Sequence, residues 1–116
     1  METMITRKNI KDRFLVETLA HGKAIAIGDH KKANKIHKKI QALYGKAKEQ
    51  NQSDVFSELL YEADENARLW AATFTLKVFP DLAEKALEDL SVLSTITGLS
   101  AKNTIHLWKE GKLNLL

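Results

Sequence analysis

Residues 65–76 read ENARLWAATFTL, and this stretch decides the fold class. Its alanines and leucines are strong helix formers, and almost every side of the resulting helix is apolar. Asp64 precedes it and can cap the exposed amides of the first turn. A helix that is apolar nearly all round must be buried on several sides, so we predict that Glu65 to Val78 forms the central helix of the core.

The composition of the whole chain agrees with a helical core. The 116 residues include 16 Leu and 13 Ala but only 8 Ile and 4 Val, together with one Pro. This excess of strong helix formers over β-branched residues favours an all-α fold. The length suits one modest core. We therefore predict one all-α domain, 1–116, built from about six helices.

Cap residues, glycines and the proline divide the chain into these helices. Asp29 is the predicted N-cap of the second helix, Asp81 of the fifth, in a capping box with Glu84, and Ser100 of the sixth. The predicted buried face of the first helix contains Phe14, Leu15, Leu19 and Ala26. The six predicted helices are about 8–27, 30–49, 54–63, 65–78, 81–93 and 101–110.

Three short motifs resemble a known family. They are RLWAA at residues 68–72, KAL at residues 85–87 and LWKEGKL at residues 107–113. With the Asp-centred turn before them, they resemble a small bacterial family of HEAT-like helical domains to which no function is assigned. The resemblance extends over about residues 10–113, and its firm motifs lie in the second half.

The resemblance implies an α-solenoid-like stack of helix pairs, with residues 53–113 as the HEAT-like part. In such a stack Asp64 caps a helix, Arg68 bonds to the adjacent inter-helix turn, and Trp70 and Trp108 pack in the core. The first pair, about 8–49, has longer helices and lacks the Asp-x-x-Ala/Val-Arg turn. We therefore expect it to cap the stack.

The net charge of +3 hides a division of the chain. Residues 1–50 carry twelve Lys or Arg and five Asp or Glu, whereas residues 51–116 carry six and ten. Much of the basic excess lies on the second helix, on the side opposite its apolar stripe. The candidate binding residues there are Lys31, Lys35, Lys38 and Lys39, with Lys46 on the same side about two turns further on. The alternative interpretation is an ordinary solvated face.

The acidic excess has its own cluster. Asp54, Glu58, Glu62 and Glu65 recur every three or four residues, which would place them along one edge of the predicted third helix. Glu58, Glu62 and Glu65 are the candidate residues for docking a basic partner. A catalytic carboxylate pair needs a closed pocket that separates the two pKa values, and a solvated face is the simpler interpretation.

The sequence offers no sign of an enzyme. There is no Cys, no glycine-rich phosphate loop, no Gly-x-Ser-x-Gly elbow and no His-Glu-x-x-His motif. His30 and His37 are about 10 Å apart along a helix, too far to share one metal ion. We therefore expect no catalytic residues, no metal and no cofactor.

The sequence also argues against a membrane protein. No stretch approaches the ~20 apolar residues that span a bilayer. The first twelve residues lack the basic start and apolar run of a secretory leader. A cytoplasmic location is therefore expected.

These observations favour a non-catalytic protein-interaction module. An immunity or antitoxin-like inhibitor of another bacterial protein is one concrete form of it. The alternative is a HEAT-like protein that binds nucleic acid non-specifically through the basic helix 30–48, since that face has neither Arg nor aromatic residues for reading bases. A third hypothesis is self-association between the basic half of one copy and the acidic half of another.

Overall fold

A computed structural model describes residues 5–114 and 116. It contains five α-helices and one 3-10 helix, and none of the described residues is in a β-strand. The all-helical prediction is therefore confirmed. The elements are α1 (Arg7–Ala26), α2 (His30–Glu49), the 3-10 helix (Ser53–Leu59), α3 (Glu65–Thr75), α4 (Pro80–Ser91) and α5 (Ile96–Lys109).

The chain divides into two compact units, residues 1–55 and 56–116. The boundary lies inside the 3-10 helix, shortly after the polar stretch 49–52. Counted over these units, the first carries twelve Lys or Arg against six Asp or Glu, and the second six against nine. The basic and acidic excesses therefore belong to different structural units.

The first unit is an antiparallel hairpin of α1 and α2. The Ile5 amide, just before α1, donates to Gln50 Oε1 (2.9 Å), and Gln52 Nε2 donates to the Ile5 carbonyl (2.7 Å). These bonds join the start of α1 to the end of α2. Thr6 and Asp29 cap the two helices through bonds to the amides of Asn9 and Lys32.

The buried face of α1 differs from the predicted one. Ile10, Phe14, Thr18 and Ala24 are buried, whereas Leu19 and Ala26 are exposed. The reason is that apolar residues occur on all sides of the second half of α1, so their spacing does not define a single face. In α2, by contrast, the buried residues are the predicted ones: Ala33, Ile36, Ile40, Leu43, Tyr44 and Ala47.

In the second unit α3 packs against both α4 and α5, which also pack against each other. Its residues from Trp70 to Leu76 are all buried. The Phe74 ring meets the ring of Phe56 edge-on at 5.1 Å between centroids, and that of Trp70 at 5.6 Å. Aromatic pairs at these separations add to the energy of burial, so they form the centre of this unit.

Three helix starts differ from the prediction. Residues 53–59 form a 3-10 helix in place of the predicted α-helix 54–63, and Val55, Phe56 and Leu59 are buried in it. Helix α4 begins with Pro80 at its first position, so Asp81 lies inside the first turn, and the N-cap residue Phe79 has no side-chain oxygen to accept from the amides of that turn. Helix α5 is capped by Thr95, whose side chain accepts from the Gly98 amide, and Ser100 lies inside the helix.

Candidate functional site

The lysines of α2 form a row on its solvent side. Lys31, Lys35, Lys38 and Lys39 are exposed, and Lys46 is half-buried at the far end. With a rise of about 1.5 Å per residue, the row is about 22 Å long. None of these five lysines makes an ion pair with a carboxylate of the described residues. We call these five residues the lysine row.

Two shallow grooves run beside the lysine row. One, of about 510 Å³, lies at the start of α2 and is lined by Asp29, Lys31, Lys32, Asn34, Lys35 and Lys38. The other, of about 450 Å³, lies between the two helices, with Arg13 and Glu17 on α1 facing Lys39, Ala42, Leu43 and Lys46 on α2. The grooves are open to solvent and rich in positive charge, so they suit an extended anionic surface better than an enclosed small molecule.

Arg13 was not among the residues singled out in the sequence. It lies 26 residues before Lys39, and only the folded hairpin brings the two to one groove. No local pattern in the sequence marks Arg13, because its place beside Lys39 depends on how α1 and α2 pair in the hairpin. Arg13 adds the bidentate donor that the lysine row itself lacks.

The three acidic candidates do not form one edge of an α-helix. Glu58 is exposed on the 3-10 helix, Glu62 is half-buried in the following turn, and Glu65 starts α3. Glu65 Oε1 accepts a hydrogen bond from Thr95 Oγ1 at 3.0 Å. The three residues therefore belong to different local structures, and Glu65 has a hydrogen-bond partner within its own unit.

The residues on which the resemblance to HEAT-like domains rests lie in and around the core of the second unit. Asp64 caps α3 by accepting from the Ala67 amide at 2.9 Å. Trp70 is 6% exposed, and Trp108 is half-buried. The Nε of Arg68 is buried and has no hydrogen-bond partner among the described residues.

The histidines of the first unit lie in different surroundings. His30 is exposed, and the His37 ring faces His21 of α1 with 6.4 Å between ring centroids. Burial lowers the pKa of His37 below its ordinary value of 6.5. No group of three or more His, Asp or Glu side chains among the described residues is arranged to hold a metal ion.

Large apolar side chains are exposed to solvent on the first unit and on the second. Val16 and Leu19 on α1 and Ile27, its C-cap residue, are 66%, 43% and 76% exposed. Val92, Ile96 and Leu99 around the α4–α5 connection are 80%, 63% and 70% exposed. The sequence reasoning placed Leu19 in the core and did not single out the others. No helix in the described part is long and apolar enough to cross a membrane.

Comparison with known proteins shows a shared fold. No family model and no curated protein matches the chain. The crystal structure of the protein RPA1889 from Rhodopseudomonas palustris CGA009 is similar to it over 95% of this chain and 93% of that chain, with a TM-score of 0.86 and 19% sequence identity. At that identity the likeness concerns the fold alone.

Proposed function

We propose that this chain is a non-catalytic protein-interaction module that binds an acidic protein surface through the lysine row of α2. The observation that carries the proposal is that all five lysines lack an acidic partner within the described residues. Charged groups left unpaired on a rigid helix can steer and orient an oppositely charged partner. Arg13, across the second groove, extends the same surface.

The proposal includes a HEAT-like, α-solenoid-like arrangement of the helices. A HEAT-like, α-solenoid-like stack presents extended surfaces rather than closed pockets, which suits binding to another macromolecule. The cap at Asp64 and the small residues of α3 support it. A cytoplasmic immunity or antitoxin-like inhibitor would use such a surface against a bacterial protein.

The test is capture from a bacterial lysate with matched charge variants. The wild type and a control with Lys102→Glu, an exposed lysine of α5, should retain the same protein. The Lys35→Glu/Lys38→Glu variant should lose it, and added salt should release it from the wild type because exposed charges are screened. Nuclease treatment should leave capture unchanged. If the Lys35→Glu/Lys38→Glu variant captures as much of the protein as the wild type does, the proposal is contradicted.

A second candidate function is non-specific binding to nucleic acid through the same row. The favouring observation is that Lys31, Lys35 and Lys38 line one groove about 10 Å long, without a neighbouring carboxylate other than Asp29. If five phosphates are contacted, the affinity for a short DNA duplex should fall by a few hundred-fold between 50 and 200 mM salt. No binding to duplex at 50 mM salt would exclude this candidate.

A further inference from the structure

The outer side of α1 carries an apolar stripe with a positive charge in its middle. Val16, Leu19, Lys23 and Ile27 follow one another at spacings of three, four and four, so they lie on one side of the helix. Lys23 is exposed and makes no ion pair with the described residues. We call these four residues the α1 stripe. Three large apolar side chains exposed together on one helix are unusual for a surface that faces only water.

The second unit carries three exposed apolar residues around the α4–α5 connection, with an exposed acidic residue before them. Ile96 and Leu99 are one turn apart on α5, and Val92 is the residue that ends α4. Glu88 lies one turn before Val92, is exposed and makes no ion pair with the described residues. Its neighbour Asp89 is instead paired with Lys85 at 3.4 Å. We call Glu88, Val92, Ile96 and Leu99 the α4–α5 corner.

The charges decide how two copies of the chain can meet. Pairing the α1 stripe with itself would bring two lysines into one interface, and pairing the corner with itself would bring in two glutamates, in neither case with an opposite charge from these four residues. Like charges in one interface repel each other, so a symmetric pairing of either surface is disfavoured. Placing the stripe of one copy on the corner of another matches apolar side chains with apolar side chains and lysine with glutamate.

We infer that a second copy of this chain docks through this unlike pair of surfaces, with the α1 stripe of one protomer on the α4–α5 corner of its partner. The contact is heterologous, because each protomer contributes a different surface to it. It uses neither the lysine row nor the grooves beside it, so it does not depend on the function proposed above. Six apolar side chains make a small interface, and we expect dissociation constants of roughly 10–500 μM.

The test is a mixing experiment with two blocking variants, followed by sedimentation equilibrium. Val16→Asp removes the stripe and Val92→Asp removes the corner, and both positions are exposed, so the fold should be retained. Each variant alone should be monomeric at concentrations where the wild type associates. An equimolar mixture should recover a dimer, because each variant supplies the surface that the other lacks. Tyr61→Asp, at a residue 81% exposed outside both surfaces, is the matched control and should associate like the wild type.

A charge exchange tests the pairing of Lys23 with Glu88. Lys23→Glu and Glu88→Lys should each weaken association about tenfold, and the chain carrying both changes should regain most of the lost affinity. A wild type that stays monomeric up to about 1 mM, well above the expected dissociation constants, would overturn the inference. So would association that survives both blocking variants, or a mixture of them that remains monomeric although circular dichroism shows both to be folded.

Discussion

Gly98 in the first turn of α5 lies directly against the backbone of Leu93. A β-carbon at position 98 would overlap the Leu93 carbonyl oxygen and come within 3.1 Å of the Leu90 carbonyl oxygen. The obstacle is backbone at the end of α4, so no flexible side chain can move aside. The absence of a side chain at this one position therefore lets α5 begin close to the end of α4.

Replacing Gly98 with alanine should destabilise the second unit. We expect Gly98→Ala to lower the free energy of unfolding by about 1–3 kcal/mol, the usual cost of overpacking a tight contact. Urea unfolding followed by far-UV circular dichroism measures this change. A variant as stable as the wild type would show that α5 shifts without cost.

Gly45→Ala is the matched control for that experiment. Gly45 lies inside α2, and a β-carbon there would meet no atom within 4 Å. Alanine has the higher helix propensity, so this change should raise the free energy of unfolding by about 0.5–1 kcal/mol. Glycine-to-alanine substitution is thus expected to lower the free energy of unfolding at position 98 and to raise it at position 45. If both changes stabilise the chain, the close approach at Gly98 does not matter.

The cap of α3 should contribute measurably to stability. Asp64→Ala removes the acceptor for the Ala67 amide at 2.9 Å and should cost about 1 kcal/mol. Asp64→Asn retains an acceptor oxygen and should lose much less. Thermal unfolding of the three chains measures the difference. Equal losses for Ala and Asn would show that the carboxylate charge, rather than the hydrogen bond, stabilises the helix start.

Acid should weaken the hairpin through His37. Because burial lowers the pKa of His37 in the folded chain, the unfolded chain takes up the proton more readily. Stability is therefore fully present above about pH 6.5 and declines as the pH falls below that value. Urea unfolding at pH 7.5, 6.5 and 5.5 measures the decline. It should shrink in His37→Gln and persist in His30→Gln, which changes an exposed histidine; an unchanged decline in His37→Gln would assign it to other groups.

The bonds that close the hairpin should differ in their response to salt. Arg7 donates to both carboxylate oxygens of Asp54, at 3.2 and 3.3 Å, but the side chains are 43% and 47% exposed. A double-mutant cycle with Arg7→Gln and Asp54→Asn should give a coupling of about 0.2–1 kcal/mol that fades in 0.5 M salt. Gln52→Ala removes the bond to the Ile5 carbonyl and should cost about 1 kcal/mol at either salt concentration. A coupling that resists salt would mark the ion pair as shielded from solvent.

Helix α2 shows how much the sequence alone can predict. Its predicted bounds, buried residues and N-cap agree with the structure because the lysines and apolar residues separate cleanly at helical spacing. The start of α5 was not predictable in this way. Gly98 weakens a helix when judged locally, and only the folded structure shows that its close approach to Leu93 leaves no room for a side chain in the first turn of α5.

The candidate site likewise has a part that the sequence predicts and a part that it does not. The lysine row could be predicted because it lies on one helix and follows its period. Arg13 could not be predicted, because its place beside the lysine row depends on the hairpin. The α1 stripe could not be predicted either, because the sequence does not show which side of α1 faces the core. Where apolar residues surround a helix, their spacing does not distinguish the buried side from an exposed one.

The buried hydroxyls of α3 suggest how this fold tolerates change over evolution. Thr73 and Thr75 donate to the carbonyls of Leu69 and Ala71, four residues earlier in the same helix. These polar groups are satisfied locally, so they demand no particular partner on α4 or α5. Packing by shape accepts many combinations of apolar side chains at constant volume. Different sequences can therefore adopt this fold, as the 19% identity between this chain and RPA1889 illustrates.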